Sequence, residues 1–190
     1  MLTSNGPAAT ERLFFALWPD DAVRQSLHVW QHGKLPMPGR WVAAANLHLT
    51  LLFLGNVTAD VRDCLCKGAD SLELPQFSLT LDTAGCWPKP KVAWLSASEV
   101  APGLSALVSA VRQIASDCGL QPETRDFVSH VTVARKLKRP PPTWEHSAAP
   151  AIIWPVSEFA LVRSETRSEG VLYQPVRRWP LVNDAAVPAR

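Results

Sequence analysis

Residues 46–55 read N-L-H-L-T-L-L-F-L-G, a run of strand-forming residues with one histidine and one threonine set into it, two positions apart. Side chains at i and i+2 of a strand share a face, about 6–7 Å apart. His48 and Thr50 therefore point one way, while Leu49, Leu51 and Phe53 line the other. Taken singly, this pattern suits a structural histidine whose ring nitrogens are satisfied. A second stretch changes the reading. Residues 127–135, F-V-S-H-V-T-V-A-R, repeat it, with His130 and Thr132 on one face and Val131 and Val133 on the other.

The surroundings repeat as well. Ahead of His48 lies a buried strand at 13–18, stopped by Pro19, then a helix that Asp20 is placed to cap and Gly33 to end, with Val23, Leu27 and Trp30 on one face. Ahead of His130 lies a strand at 92–95, then a helix opened by Pro102 and ended by Gly119, with Leu104, Leu107, Val108, Val111 and Ile114 inward. Both helices contain A-V-R-Q, at 22–25 and 110–113. The remaining elements are a strand at 47–54 closed by Gly55, a helix from Thr58 through Ala69, and strands at 77–84, 152–154, 159–162 and 171–179. Strand–helix–strand thus occurs twice, each time ending in His-x-Thr, which points to an internal duplication. Two related lobes packed together would set the two His-x-Thr strands across one cleft.

Composition bounds what such a cleft can serve. The chain has 190 residues, 47% hydrophobic and 19% charged, in the range of globular proteins. One domain is expected over 11–182, with flexible ends at 1–10 and 183–190. A net charge of +2 argues against a general polyanion binder, so any nucleic-acid partner must be held by a local site. No apolar run approaches the roughly 20 residues of a membrane span, and no secretory leader is expected, so the reading is cytoplasmic with no membrane partner. The four cysteines, Cys64, Cys66, Cys86 and Cys118, match no zinc spacing and read as free thiols of a reducing compartment. Residues 136–150, basic and proline-rich, read as a surface loop.

Two imidazoles and two hydroxyls, symmetrically disposed, form a recognisable chemical kit. Histidine titrates near pH ~6.5, so one ring can take a proton while the other gives one; each role is worth about 10²–10⁴ in rate. The short, stiff threonines can donate hydrogen bonds to anionic oxygens. This suits transfer at a phosphodiester. No carboxylate or thiol joins either histidine at ligand spacing, no G-x-S-x-G elbow occurs, and no glycine-rich phosphate loop or dinucleotide fingerprint is found.

The paired H-L-T (48–50) and H-V-T (130–132), with their flanks, resemble the 2H phosphoesterase superfamily, and within it the bacterial RNA 2′,3′-cyclic phosphodiesterases, also called 2′-5′ RNA ligases. The likeness runs from R-L-F-F-A-L (12–17) through 40–55 and 127–135 to F-A-L-V-R-S (159–164), G-V-L-Y (170–173) and R-W-P-L (178–181). It implies a bilobal α+β fold, with two pseudo-symmetric antiparallel sheets, outer helices and a central cleft. It also implies hydrolysis of RNA 2′,3′-cyclic phosphate ends, or of cyclic nucleotides, to a 2′-phosphate, by a monomer without metal or other cofactor. Carried over, His48 would be the proton donor to the departing 3′-oxygen and His130 the base. Thr50 and Thr132 would hold the non-bridging oxygens, and Arg135 would pair with the phosphate. Strict alternation puts Arg135 on the wrong face, so that role requires a bulge or a twist. Phe14 matches an aromatic of the family's first strand; a core role is favoured for it, with substrate contact by base stacking as the second reading. The family's usual proline before the second histidine is Ser129 here.

Trp18 and Trp30 read as core, Trp41 and Trp87 as loop residues open to a base, and Tyr173 as a weaker candidate. Lys89 and Lys91 stand where they could meet an RNA backbone. His28, His32 and His146 receive no role. The rival class is a module that binds nucleotides or 2′-phosphate-ended RNA without turnover. Ligation uses the same groups, so the sequence leaves it open.

Overall fold

Asp20 caps the first helix as its position suggests, its Oδ1 accepting the Val23 backbone N–H at 2.8 Å. The computed structural model describes residues 9–33, 39–138, 147–168 and 170–183. Its elements are β1 (Thr10–Leu17), α1 (Asp21–Gly33), β2 (Arg40–Trp41), β3 (Leu49–Thr58), α2 (Ala59–Asp70), β4 (Phe77–Trp87) and β5 (Val92–Ser96), followed by α3 (Pro102–Asp117), β6 (Val131–Arg135), β7 (Ser147–Val156), β8 (Glu158–Arg167) and β9 (Gly170–Pro180). A 3-10 turn, Ala44–Asn46, leads into β3. Most of the 136–150 loop and His146 fall outside the described residues, as do both expected flexible ends for most of their length.

The α+β class and the antiparallel pairing are as the sequence led us to expect. The expected two sheets are instead one continuous, curled sheet of order β7-β4-β5-β6-β3-β1-β8-β9, with β2 beside β6. The order is symmetrical about β6/β3: in each half the strand before the helix pairs antiparallel with the His-x-Thr strand after it, β1 with β3 and β5 with β6. Between β3 and β6 one pair is made among the described residues, Leu49↔Val131, and β2 of the first half adds Arg40↔Arg135 and Trp41↔Ala134 along β6. The helices lie across this seam, α1 against β7 and α3 against β3. Their buried faces, Val23, Leu27 and Trp30 on α1 and the predicted Leu104–Ile114 stripe on α3, close the main core with Leu49, Leu51 and Val131. A second, smaller cluster of Phe14, Ala16, Trp18, Ala160 and Val162 fills the other side of β1 and β8.

Three sequence expectations give way. Gly55 does not end β3; it sits inside the strand at φ +76°, a conformation that costs glycine little, and the strand runs on to Thr58. The A-V-R-Q repeats fall at the start of α1 and in the second half of α3, so they are not equivalent positions, and the duplication rests on strand order alone. The cysteines are not all free. Cys64 and Cys118 form a disulfide with a Cα–Cα distance of 5.8 Å, joining α2 to the end of α3, while Cys66 and Cys86 remain thiols. Sequence spacing could not reveal a pairing made by helix packing. No helix among the described residues is long and apolar enough to cross a membrane.

Candidate active site

The Leu49↔Val131 pair is antiparallel, and both side chains are fully buried on the helix side. The neighbours on either side therefore face away from the helices: His48 lies opposite Thr132, and Thr50 opposite His130. Four residues from two distant segments occupy one patch, with cross-strand neighbours about 5 Å apart at Cβ where the ladder is regular. Among the described residues β3 and β6 make no further ladder pair, so the patch sits at the one point where these two strands are joined.

Each ring is held in the same way. The Nδ1–H of His48 donates to the carbonyl of Asn46 at 2.7 Å, and that of His130 to the carbonyl of Val128 at 2.8 Å. A carbonyl can only accept, so both rings carry the proton on Nδ1 and present Nε2 to the cleft. Nε2 of His48 accepts from the Thr50 hydroxyl at 3.1 Å. Asn46, which the sequence reading passed over, also ties the turn to β9: its side-chain amide donates to the Val171 carbonyl at 2.8 Å, and its Oδ1 accepts from the Tyr173 N–H at 3.2 Å. Ser129 is buried, and its carbonyl accepts from the Ser96 hydroxyl at 2.5 Å, which fastens the entry to β6.

His48 stands among aromatic rings: Phe14 at 5.0 Å, Trp18 stacked at 5.7 Å and Tyr173 edge-on at 4.9 Å. Burial among them pushes its pKa down from 6.5 to about 4; the Asn46 hydrogen bond opposes this, while the charges of Arg135 and His130 add to it. His130 meets Trp87 edge-on at 4.6 Å, and burial, together with Arg135, lowers its pKa too. Both rings are therefore neutral at pH 7 in the free protein.

Arg135 reaches this face through a bulge. In the β5–β6 ladder Ala93 pairs with Ala134 and Trp94 with Thr132, so Val133 is an extra residue. Val133 and Ala134 are consecutively buried, and Arg135 emerges exposed on the side of His130 and Thr132. The displaced Val133 carbonyl accepts from the Gln31 side chain of α1 at 2.9 Å and from the Val42 N–H at 2.9 Å. The alternation that seemed to forbid a phosphate role for Arg135 is thus broken at the necessary place.

A model of the 2′-5′ RNA ligase superfamily matches residues 19–167. The chain belongs to this superfamily. It is 36% identical over 176 residues to the RNA 2′,3′-cyclic phosphodiesterase of Escherichia coli K12, an alignment covering 90% of this chain and 97% of that protein. It is 33% identical over 188 residues to the protein of the same name from Thermus thermophilus, covering 90% of each. Among solved structures, apo E. coli LigT superposes with a TM-score of 0.83 at 34% identity, covering 92% of this chain and 99% of that one. A structure of LigT complexed with 3′-AMP gives 0.80 at the same identity, over 90% and 98%.

In this superfamily member the two His-x-Thr segments and Arg135 come together, and Phe14 does not join them at the surface. Phe14 is 2% exposed and packs behind His48, so it has no ring face to offer a substrate directly. Tyr173, half-buried, sits against both Phe14 and His48. Trp41 and Trp87 are strand residues rather than loop residues. Lys89 and Lys91 are exposed in the turn between β4 and β5.

Proposed function

We propose that this protein hydrolyses 2′,3′-cyclic phosphate ends of RNA to 2′-phosphomonoesters by two-histidine acid–base catalysis, without a metal. The observation that carries the reading is the placement of two Nε2 atoms and two threonine hydroxyls on one face, around a single antiparallel pair. Water attacks phosphorus as His130 Nε2 takes its proton. The P–O3′ bond breaks, and the 3′-oxygen receives a proton from His48 Nε2–H. The product is a 2′-phosphate with a free 3′-hydroxyl, and the proton on His130 returns through solvent to His48. Thr50 and Thr132 donate to the non-bridging oxygens, and the Arg135 guanidinium balances their charge.

A proton donor must carry its proton, yet the free protein holds His48 neutral. In this mechanism the substrate supplies the missing condition. Burial is the main cause of the lowering and the Arg135 charge a smaller one; an anionic phosphate beside the ring offsets that charge and favours protonation once bound. With an RNA 5′-hydroxyl in place of water as the nucleophile, the same groups would open the 2′,3′-cyclic phosphate to a 2′-5′ phosphodiester with a free 3′-hydroxyl, which is 2′-5′ ligation.

The test is the product formed from an oligonucleotide with a 2′,3′-cyclic phosphate end, in the presence of chelator. The expected product is the 2′-phosphate, with His48→Ala and His130→Ala each losing at least about 10²-fold in rate. Full activity in either variant refutes the mechanism, and tight nucleotide binding without product would favour the binding-module reading.

A further inference from the structure

The bulge that delivers Arg135 has a twin on the other half, and the two are held differently. In the β1–β3 ladder Phe15 pairs with Leu52 and Ala16 with Thr50, so Leu51 is an extra residue, as Val133 is on β6. Leu51 and Leu52 are consecutively buried, and Phe53, which alternation had assigned to the core, emerges 66% exposed. Beyond that bulge β3 runs on to Thr58 paired with β1, so the ladder fixes the strand on both sides of the extra residue. β6 lacks this length. It ends at Arg135, and beyond Val133 only Ala134 and Arg135 pair, with Ala93 and Val92 of β5 and with Trp41 and Arg40 of the two-residue β2. Because side chains alternate with a period of two, a one-residue slip that absorbed Val133 would carry Arg135 to the opposite face.

A side chain from the helix layer holds this short end. Gln31 of α1 is buried, at 1% exposure, and its Nε2 lies 2.9 Å from the Val133 carbonyl and 3.1 Å from the Val42 carbonyl. Both partners can only accept, so this atom belongs to the NH2 group and donates one proton to each. The Val42 N–H donates to the same Val133 carbonyl at 2.9 Å, which joins α1, the residue following β2 and the extra residue of β6 at one point. The amide is committed at a cost, because its Oε1 is buried with no hydrogen-bond partner among the described residues. A core side chain that served packing alone would carry no such unpaired atom. We propose that Gln31 is a positioning residue, which pins the Val133 bulge and so keeps the Arg135 guanidinium in the cleft. Its consequence for turnover rests on the phosphodiesterase reading. Its consequence for the electrostatics of the site does not, because the Arg135 charge acts on both histidines in the free protein.

The experiment titrates the two histidines by NMR, through their ring Cε1–H signals, in the native protein, Gln31→Met, Arg135→Gln and the double variant. In parallel, kcat/KM is measured against pH with adenosine 2′,3′-cyclic phosphate. Methionine keeps the length and apolar stem of Gln31 but donates nothing. Gln31→Met should shift both histidines to higher pH, the direction expected for Arg135→Gln, and lower kcat/KM by about tenfold or more, as displaced groups do. In the Arg135→Gln background it should change neither quantity further, since the group it positions is gone. Unmoved histidines in Gln31→Met, or a loss that multiplies with that of Arg135→Gln as general damage to the fold would, overturn the proposal. Should Gln31→Met fail to fold, Gln31→Asn, whose amide is drawn back by one methylene, carries the same expectations. If neither folds, Gln31 serves the fold itself and the proposal falls. If the native protein turns over no cyclic phosphate, the hydrolase reading has failed, and the titration alone decides whether Gln31 positions Arg135.

Discussion

His48 offers a direct measure of what the aromatic box costs the fold. Its pKa falls from 6.5 in the unfolded chain to about 4 in the folded protein, chiefly through burial. At 1.36 kcal/mol per unit this makes about 3 kcal/mol of linked stability. The sign follows from the direction. Above pH 6.5 both states leave His48 neutral and the stability is fully present; as pH falls toward 4 the unfolded chain binds the proton first, and the stability is lost. Gln in place of His48 keeps a donor for the Asn46 carbonyl but cannot titrate. Urea unfolding of the native protein and of His48→Gln, from neutral pH down to about pH 4, should show the native protein losing about 3 kcal/mol more than the variant. Other groups, His130 among them, titrate in both proteins and cancel in the difference. Superimposable pH dependences would refute the burial argument, and with it the neutral state assigned to His48.

The same depression shapes activity. kcat/KM reports the free protein's groups, so its bell should have an acid limb near 4 and an alkaline limb below 6.5; an alkaline limb above 6.5 contradicts the geometry. Arg135→Gln removes a charge that lowers both histidines, so both limbs should move to higher pH while kcat/KM falls by about 10²-fold; an unshifted profile would place Arg135 outside the site. A Cβ at Gly85 would meet the buried Trp94 ring at 2.2 Å, and Trp94 opposes Thr132 and packs on Trp87 beside His130. Gly85→Ala should therefore cost about 1–3 kcal/mol by overpacking and slow turnover, measured by thermal melting and initial rates. Reducing Cys64–Cys118, whose partners lie 54 residues apart, should cost up to about 4 kcal/mol in the loop-entropy model. Because this bond lies in the helix layer, turnover at a temperature where the reduced protein stays folded should not change.

Much of the site was legible because it rests on residue types whose chemistry is unambiguous. His48, Thr50, His130 and Thr132 needed only the period of a strand and a repeated context. What the sequence hid was every place where the period breaks. Two extra residues, Leu51 and Val133, look like ordinary strand hydrophobics; nothing in their chemistry marks them as bulges. They alone decide that Arg135 joins the cleft and that Phe53 leaves the core. The polar satisfaction of the Val133 carbonyl by Gln31 joins residues 102 positions apart, and the hold of Asn46 on β9 spans more than that. Such contacts depend on the assembled sheet. Phe14 fits the core role favoured for it, since its ring is buried behind His48 and only the lesser reading, a direct base contact, gives way.

The matched bulges also bear on direction. A cleft with a true twofold axis would receive an asymmetric ligand equally well either way round, and half of all encounters would present the wrong oxygen to each histidine. The pairing at Leu49 and Val131 builds such an axis, because His48, Thr50 and Leu51 are answered by His130, Thr132 and Val133. The chain departs from it where each bulge ends, with a greasy ring on one strand and a fixed positive charge on the other. Since β3 and β6 run in opposite directions, these two markers lie at opposite ends of the cleft. They give an otherwise reversible socket a front and a back.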